Sequence, residues 1–380
     1  MLGRFRSGGR EMPLSVLMVS QPTVAGIAQC VRDWSSGLRA AGWQVQAACP
    51  DDGWLLDTLA ADGIPTHLWR SQRSPTAGLR QESRDLRQIL DDANPDVVFL
   101  HGSKAGLIGR LVTRGSTPVA FAPHSWSFEA VTGPTRAAAL RWERMAARWT
   151  SRFVCVSEAE RDLGYRSHIL GRYVVARNGV DVTTIAPPQD RAAAREALGI
   201  AASTQALVCV GRLCEQKGQD VLLSAWPQIR KSGRTLTLVG DGPSRQALED
   251  SVQDPSVRFT GDVDRSLALA WLAAADLVIV PSRWEGMALV PLESLAQGTP
   301  VVASDVNGTR EAITDEVGAV CPPDDADALA STVNRWLESV AGREQATRQA
   351  CRQRVVDEFD LRDTIATLDR ALRQTVDEAR

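Results

Sequence analysis

Short apolar runs alternate with helix-like segments along this chain, and the alternation is repeated on both sides of a stretch punctuated by Asn-Gly and Pro-Pro. No other feature restricts the fold as much. In the first half, Leu14–Ser20 passes Gly26 into a helical pattern from Gln29 to Ala41, which reads as strand, glycine turn, helix. Residues 43–49, 97–100, 119–122 and 153–156 read as further strands. The second half repeats the plan with strands near 206–210, 235–239, 277–280 and 300–303, and Val257–Gly261 reads as one more. Strands of four to seven apolar residues separated by helices are the signature of parallel sheets covered on both faces. The pattern therefore predicts an α/β protein of two Rossmann-like, doubly wound domains; facing one another, they would leave a cleft. Residues 12–177 form the first domain and 178–360 the second, with the hinge at Asn178–Pro188.

Two segments carry the chemistry. After the apolar run Leu277–Val280, the chain places Glu285 in a loop and Glu293 eight positions later in a helix that Gly298 and Pro300 stop. The backbone of Gly286, Met287, Ala288, Leu289 and Val290 lies between them, and the positive end of a helix attracts phosphate. Upstream, the strand-like Ala206–Val210 runs into Gly211, Arg212 and then Lys217-Gly218. Arg212 offers a planar fork of donors and Lys217 a compact ammonium, a pair suited to a diphosphate. Lysine is scarce, with only Lys104, Lys217 and Lys231 in 380 residues, so a lysine in a motif carries weight.

These segments resemble the family-4 retaining glycosyltransferases of GT-B architecture, in particular those that build bacterial surface polysaccharides. The supporting segments include Val154–Ser157, Asn178–Asp181, Leu238–Pro243, Val257–Gly261 and Ala303–Gly308 followed by Glu311, all in the family's order. The resemblance implies that Arg212 and Lys217 bind the donor diphosphate, that Glu285 contacts the donor sugar and that Glu293 accepts from the ribose hydroxyls. Gly211, Gly240, Gly242 and Gly261 would line the nucleoside side, although Gly240 and Gly242 also read as a purely structural turn. Gly26 would lie where members carry paired glycines; here the partner is Ala25. His124 matches a histidine near the reacting sugar. His101 and Lys104 become acceptor-side candidates, with a solvated helix-start lysine as the other reading of Lys104. By the same resemblance the final helix, 361–380, packs on the first domain. The implied reaction moves a sugar from a nucleoside diphosphate sugar to a hydroxyl of a glycan or polyprenyl-linked acceptor, with retention, without metal and without a cofactor. A sugar-nucleotide epimerase of the same architecture and a non-catalytic nucleotide-sugar-binding protein remain as alternatives.

Composition sets the outer bounds. Apolar content of 44% and charged content of 23% are ordinary for a globular protein. Seven cysteines without paired short spacings point to reduced thiols and no zinc site. The first residues lack an apolar signal core, so a cytoplasmic location is expected, and Met12 is an alternative start. Basic residues exceed acidic ones up to residue 186, whereas the remainder is acidic. That asymmetry suits an anionic membrane surface or a lipid-linked phosphate and is too small for nucleic acid. Residues 136–152 have two readings. Projection on a helix groups Ala138, Trp142, Met145, Ala146 and Trp149 beside Arg141, Arg144, Arg148 and Arg152, which suits either a membrane interface or a core-facing helix. Asp262-Val263-Asp264 looks like a metal motif, but Asp264 is better placed to cap the following helix.

Overall fold

The computed structural model describes residues 13–74, 78–185 and 190–380. Met12 and the Pro187-Pro188 pair of the expected hinge lie outside them. The chain divides into two units. One contains residues up to Cys155 with Arg161–Ala176 and Ile365–Arg380; the other contains Val156–Glu160 and Arg177–Thr364.

In the first unit, β1 (Ser15–Ser20), β2 (Gln44–Cys49), β3 (Thr66–Leu68), β4 (Val97–His101), β5 (Val119–Ala122), β6 (Arg152–Cys155) and β7 (Tyr173–Val175) form one sheet in the order β3-β2-β1-β4-β5-β6-β7. All its pairings are parallel. In the second, β8 (Gln205–Val210), β9 (Arg234–Val239), β10 (Val257–Phe259), β11 (Leu277–Val280), β12 (Val301–Ser304) and β13 (Gly318–Cys321) run parallel in the order β10-β9-β8-β11-β12-β13. Central strands such as Val16–Val19 and Val97–Leu100 are fully buried, which is why they read as unbroken apolar runs. Three strands missing from the sequence reading, β3, β7 and β13, are sheet edges of three or four residues. Strands this short give too few residues for a period to stand out.

Each sheet reverses its winding once, between β1 and β4 and between β8 and β11. Open α/β sheets bind ligands beyond the carboxyl ends of strands at this reversal, because the helices on either side diverge there and leave a crevice. The last helix, Leu361–Asp377, continues past Thr364 into the first unit. There Trp43 Nε1 donates to Asp369 at 2.7 Å and Arg152 donates to Thr375 and Glu378, each at 3.0 Å.

The helix expected over 136–152 is corrected. It runs Gly133–Ala146, tightens into a 3₁₀ turn at Ala147–Trp149, and gives way to β6 at Arg152. Ala138 and Met145, grouped by projection on the apolar side, are exposed, whereas Glu143 is buried. The reason is electrostatic. Glu143 lies 2.8 Å from Arg110, both side chains are buried, and the guanidinium also covers the Phe121 ring at 4.1 Å. Trp142 and Trp149 are half-buried, with ring centroids 6.3 Å apart. No helix among the described residues is long and apolar enough to cross a membrane.

Candidate active site

In the second unit the loop after β8 is fastened to the loop after β9. Leu213 N donates to Asp241 O at 2.9 Å and Ser244 N to Leu213 O at 3.0 Å. A Cβ on Gly240 would lie 2.3 Å from Gly211 O, and one on Gly242 would lie 2.2 Å from Leu213 O. The backbone approach alone therefore requires both glycines, whatever they touch in a ligand. Gly240 also bridges to Gly261.

A second set of bonds ties the β8 loop to the loop after β11. Arg283 N donates to Gln216 O at 2.7 Å, and Gln216 Nε2 returns to Trp284 O at 3.0 Å. The Arg283 guanidinium grips Asp220 at 2.7 and 2.9 Å and Asp324 at 2.6 Å. Its hydrogen bond to Asp220 holds that carboxyl below its ordinary value. These bonds bring Lys217, at the end of the 3₁₀ turn Glu215–Lys217, against Glu285. The sequence reading gave the two residues separate contacts, diphosphate and sugar; here they are paired directly with one another. Burial by itself would lower the Lys217 ammonium, but the Glu285 carboxylate outweighs it and raises it. Arg212 is exposed, and its guanidinium has no ion partner among the described residues.

Two residues outside the charged motifs hold the Glu285–Met287 turn. Ser157 Oγ donates to Gly286 O at 3.1 Å and buried Asn178 Nδ2 to Met287 O at 2.7 Å. Glu311 acts nearby, accepting from Ala159 N and Arg177 Nε, each at 3.0 Å. Ala288 then occupies the N-cap position of the helix Leu289–Ala296 without a side-chain cap, so the opening N–H groups have no intrahelical acceptor. Glu293, in its second turn, is buried, with Oε1 2.6 Å from Arg265 Nη1; the angles make this an ion pair without a hydrogen bond. Arg265 escaped the sequence reading. Its only signal was its place directly after Asp264, which does cap the helix Arg265–Ala274 by accepting from Leu267 N at 2.8 Å. No group of three or more His, Cys, Asp or Glu able to hold a metal occurs among the described residues.

The reversal point of the first unit is different in kind. His101 ends β4 and His124 follows β5 by two residues, so adjacent strands set the imidazoles together, His101 Nδ1 lying 3.1 Å from His124 Nε2. His101 is fully buried, and Trp34 packs against both rings at centroid distances of 5.5 and 5.4 Å. Burial lowers His124 to about 3; burial and the neighbouring His124 push His101 well below its ordinary value. His124 (φ 56°) and Ser125 (φ 114°) occupy the left-handed region. Glu129 secures that strained turn, accepting from Trp126 N at 2.8 Å and Ser125 Oγ at 3.2 Å.

Lys104 is neither a solvated lysine nor a cation left open for acceptor phosphate. It is buried, 2.8 Å from Glu82 and bonded to Ser74 O at 2.6 Å. Ala25, in place of a second glycine, takes φ 62° at the start of the helix Ala25–Ala40, and Gly26 beside it faces open space. His67 makes an ordinary side-chain contact, 2.8 Å from Gln46. All seven cysteines are free.

Comparison with known proteins agrees with this architecture. The family described as "Glycosyl transferase 4-like domain" matches residues 25–179 and that described as "Glycosyl transferases group 1" matches 204–339. The chain belongs to the GT-B glycosyltransferases of family 4. The glycogen synthase of Mycobacterium tuberculosis is 37% identical over 205 residues, 52% of this chain and 47% of that protein, so the match spans about half the relative's length. The UDP-Gal:alpha-D-GlcNAc-diphosphoundecaprenol alpha-1,3-galactosyltransferase of Escherichia coli is 26% identical over 73% of this chain and 74% of its own. Among solved structures, Anabaena Alr3699/HepE in complex with UDP and glucose matches with a TM-score of 0.81 over 95% of this chain and 100% of that one, at 21% identity.

Proposed function

We propose that the protein is a retaining, metal-independent glycosyltransferase that moves a sugar from a nucleoside diphosphate sugar to a hydroxyl of a glycan or polyprenyl-linked acceptor in bacterial surface-glycan synthesis. The observation that carries this reading is the set of charges at the β8/β11 reversal, with Arg212 open, Lys217 on Glu285, and Glu293 in the helix that opens at Leu289. Negative charge grows on the diphosphate as the glycosidic bond breaks. Arg212, Lys217 and the opening amides of that helix stabilise it most in the transition state, where it is largest. Lys217 then exchanges Glu285 for phosphate, and Glu285 is released to the sugar hydroxyls. Glu293 accepts from the ribose, and the leaving phosphate takes the acceptor's proton on the same face. The UDP and UDP-galactose named for the two relatives make uridine donors the first to test.

Peripheral binding to the cytoplasmic face of an anionic membrane belongs to this proposal. It is supported by the half-buried Trp142 and Trp149, exposed Met145, and exposed Arg141, Arg144 and Arg148 on the same segment.

Thermal unfolding against uridine, guanosine, adenosine and thymidine diphosphates tests the donor site, since a ligand at 100 times its Kd adds about 2.7 kcal/mol. The expected result is a shift with one nucleotide, followed by chelator-resistant transfer from the matching sugar donor with retained anomeric configuration. An epimerised sugar nucleotide with no acceptor product would replace the proposal with the epimerase reading. Binding without turnover would leave a nucleotide-sugar-binding protein.

A further inference from the structure

We infer that His101 is a positioning residue that fixes the tautomer of His124, making His124 a hydrogen-bond donor through Nδ1 and denying it the role of general base. The inference deepens the reading above and rests on it, with His124 placed near the reacting sugar as the family resemblance implies.

Only one proton fits between His101 Nδ1 and His124 Nε2 at 3.1 Å, so one ring donates and the other accepts. The far nitrogen of His101 decides which. His101 Nε2 is buried and has no hydrogen-bond partner. If His124 donated, the His101 proton would sit on that nitrogen, leaving a buried N–H with no acceptor. Orphaned buried donors are rarer in folded proteins than under-used acceptors. If His101 donates, its bare Nε2 is the atom without a partner, in a ring whose centroid lies 4.3 Å from that of Phe99. The second arrangement costs less. It puts the His124 proton on Nδ1 and occupies the Nε2 lone pair, so a neutral His124 has no lone pair with which to accept a substrate proton.

The packing holds this arrangement in place. Trp34 lies against both rings and the Glu129 bonds hold the turn that carries His124, so neither imidazole rotates freely. Removal of charge from both rings by burial agrees with a single shared proton.

Two measurements test the assignment. The first needs no activity: long-range proton–nitrogen correlation on the full chain labelled with ¹⁵N-histidine, in which only four residues contribute. Protonated Nδ1 and bare Nε2 on both His101 and His124 are expected near neutral pH; a protonated Nε2 on His124, or a charged ring on either, overturns the assignment. The second compares His101→Asn, whose amide N–H replaces the Nδ1 donor, with His101→Phe, which fills the space without it. Turnover of the Phe variant is expected to fall at least tenfold with donor KM within threefold, and the Asn variant to recover to within threefold of the parent. Equal rates for the two variants, whether high or low, overturn positioning through the hydrogen bond. His124→Ala separates the two levels: a slow His124→Ala beside a normal His101→Phe sinks only this inference. A normal His124→Ala removes the role that the resemblance gives His124 and overturns its use as a donor to the sugar.

Discussion

Two sheets of the same doubly wound plan carry opposite chemistry at their reversal points. In the second unit the reversal gathers charge: Arg212, Lys217 on Glu285, and Arg265 on Glu293. In the first it gathers a neutral aromatic group, His101 and His124 against Trp34 and Phe99, while the buried charges are spent on ion pairs. Arg110 with Glu143 fastens the helix Gly133–Ala146, and Lys104, paired with Glu82, holds the Ser74 carbonyl. The fold thus supplies a place for a ligand, and the side chains at the strand ends decide its kind. An electrostatic site suits a diphosphate, and an uncharged, hydrogen-bonding one suits sugar hydroxyls.

The contrast breaks most severely at Arg110. Arg110→Met leaves Glu143 buried without a counter-charge, and the first unit is expected to lose about 3–5 kcal/mol in a denaturant melt. Adding Glu143→Leu should return most of that loss; a single substitution costing less than about 1 kcal/mol, as exposed pairs do, would show that the pair is not holding the helix. In the second unit the corresponding substitution acts on rate. Lys217→Ala and Arg212→Ala are each expected to lower turnover at least tenfold with folding intact, since a charge-assisted hydrogen bond is worth about 1.5–3 kcal/mol, or one to two decades. Near-normal turnover in both would remove the diphosphate role.

A smaller effect separates the units by pH. His124 is lowered to about 3 from 6.5, so below pH 6.5 the unfolded chain takes up a proton that the folded ring refuses. The first unit therefore loses stability as pH falls from about 6.5 towards 3. Asp220, beside Arg283 in the second unit, has the opposite sign. Its value is depressed from 3.8, so its contribution is complete above that pH and is lost only as pH falls through the lowered folded value. Melting temperatures measured between about pH 7 and 4.5 should fall first for the first unit, and less so in a His101→Phe/His124→Leu variant. An unchanged slope in that variant would mean the histidine pair is not its source.

Much of this was legible in the chain. Central strands were readable because burial on both faces demands unbroken apolar residues, as in Val16–Val19 and Leu277–Val280. The Asp264 cap was readable because a cap is a bond between near neighbours in sequence. Edge strands β3, β7 and β13 were not, since segments of three or four residues are too short to carry a recognisable period. Arg265 was invisible as a partner for Glu293, 28 residues further on, and the Glu143 anchor was hidden by a helical projection that counts only apolar side chains.

The sequence by itself determined the repeated α/β plan, the glycine turns, and the residues that sit at the carboxyl ends of the strands, because those depend on local periodicity and on backbone conformations that few residues adopt. Which charges meet was decided only in three dimensions. Lys217 pairs with Glu285 across 68 positions, and His101 shares one proton with His124 across 23. Such pairs depend on which loops the parallel register brings side by side. Nothing in the spacing of two distant residues encodes that distance until the sheet between them has formed.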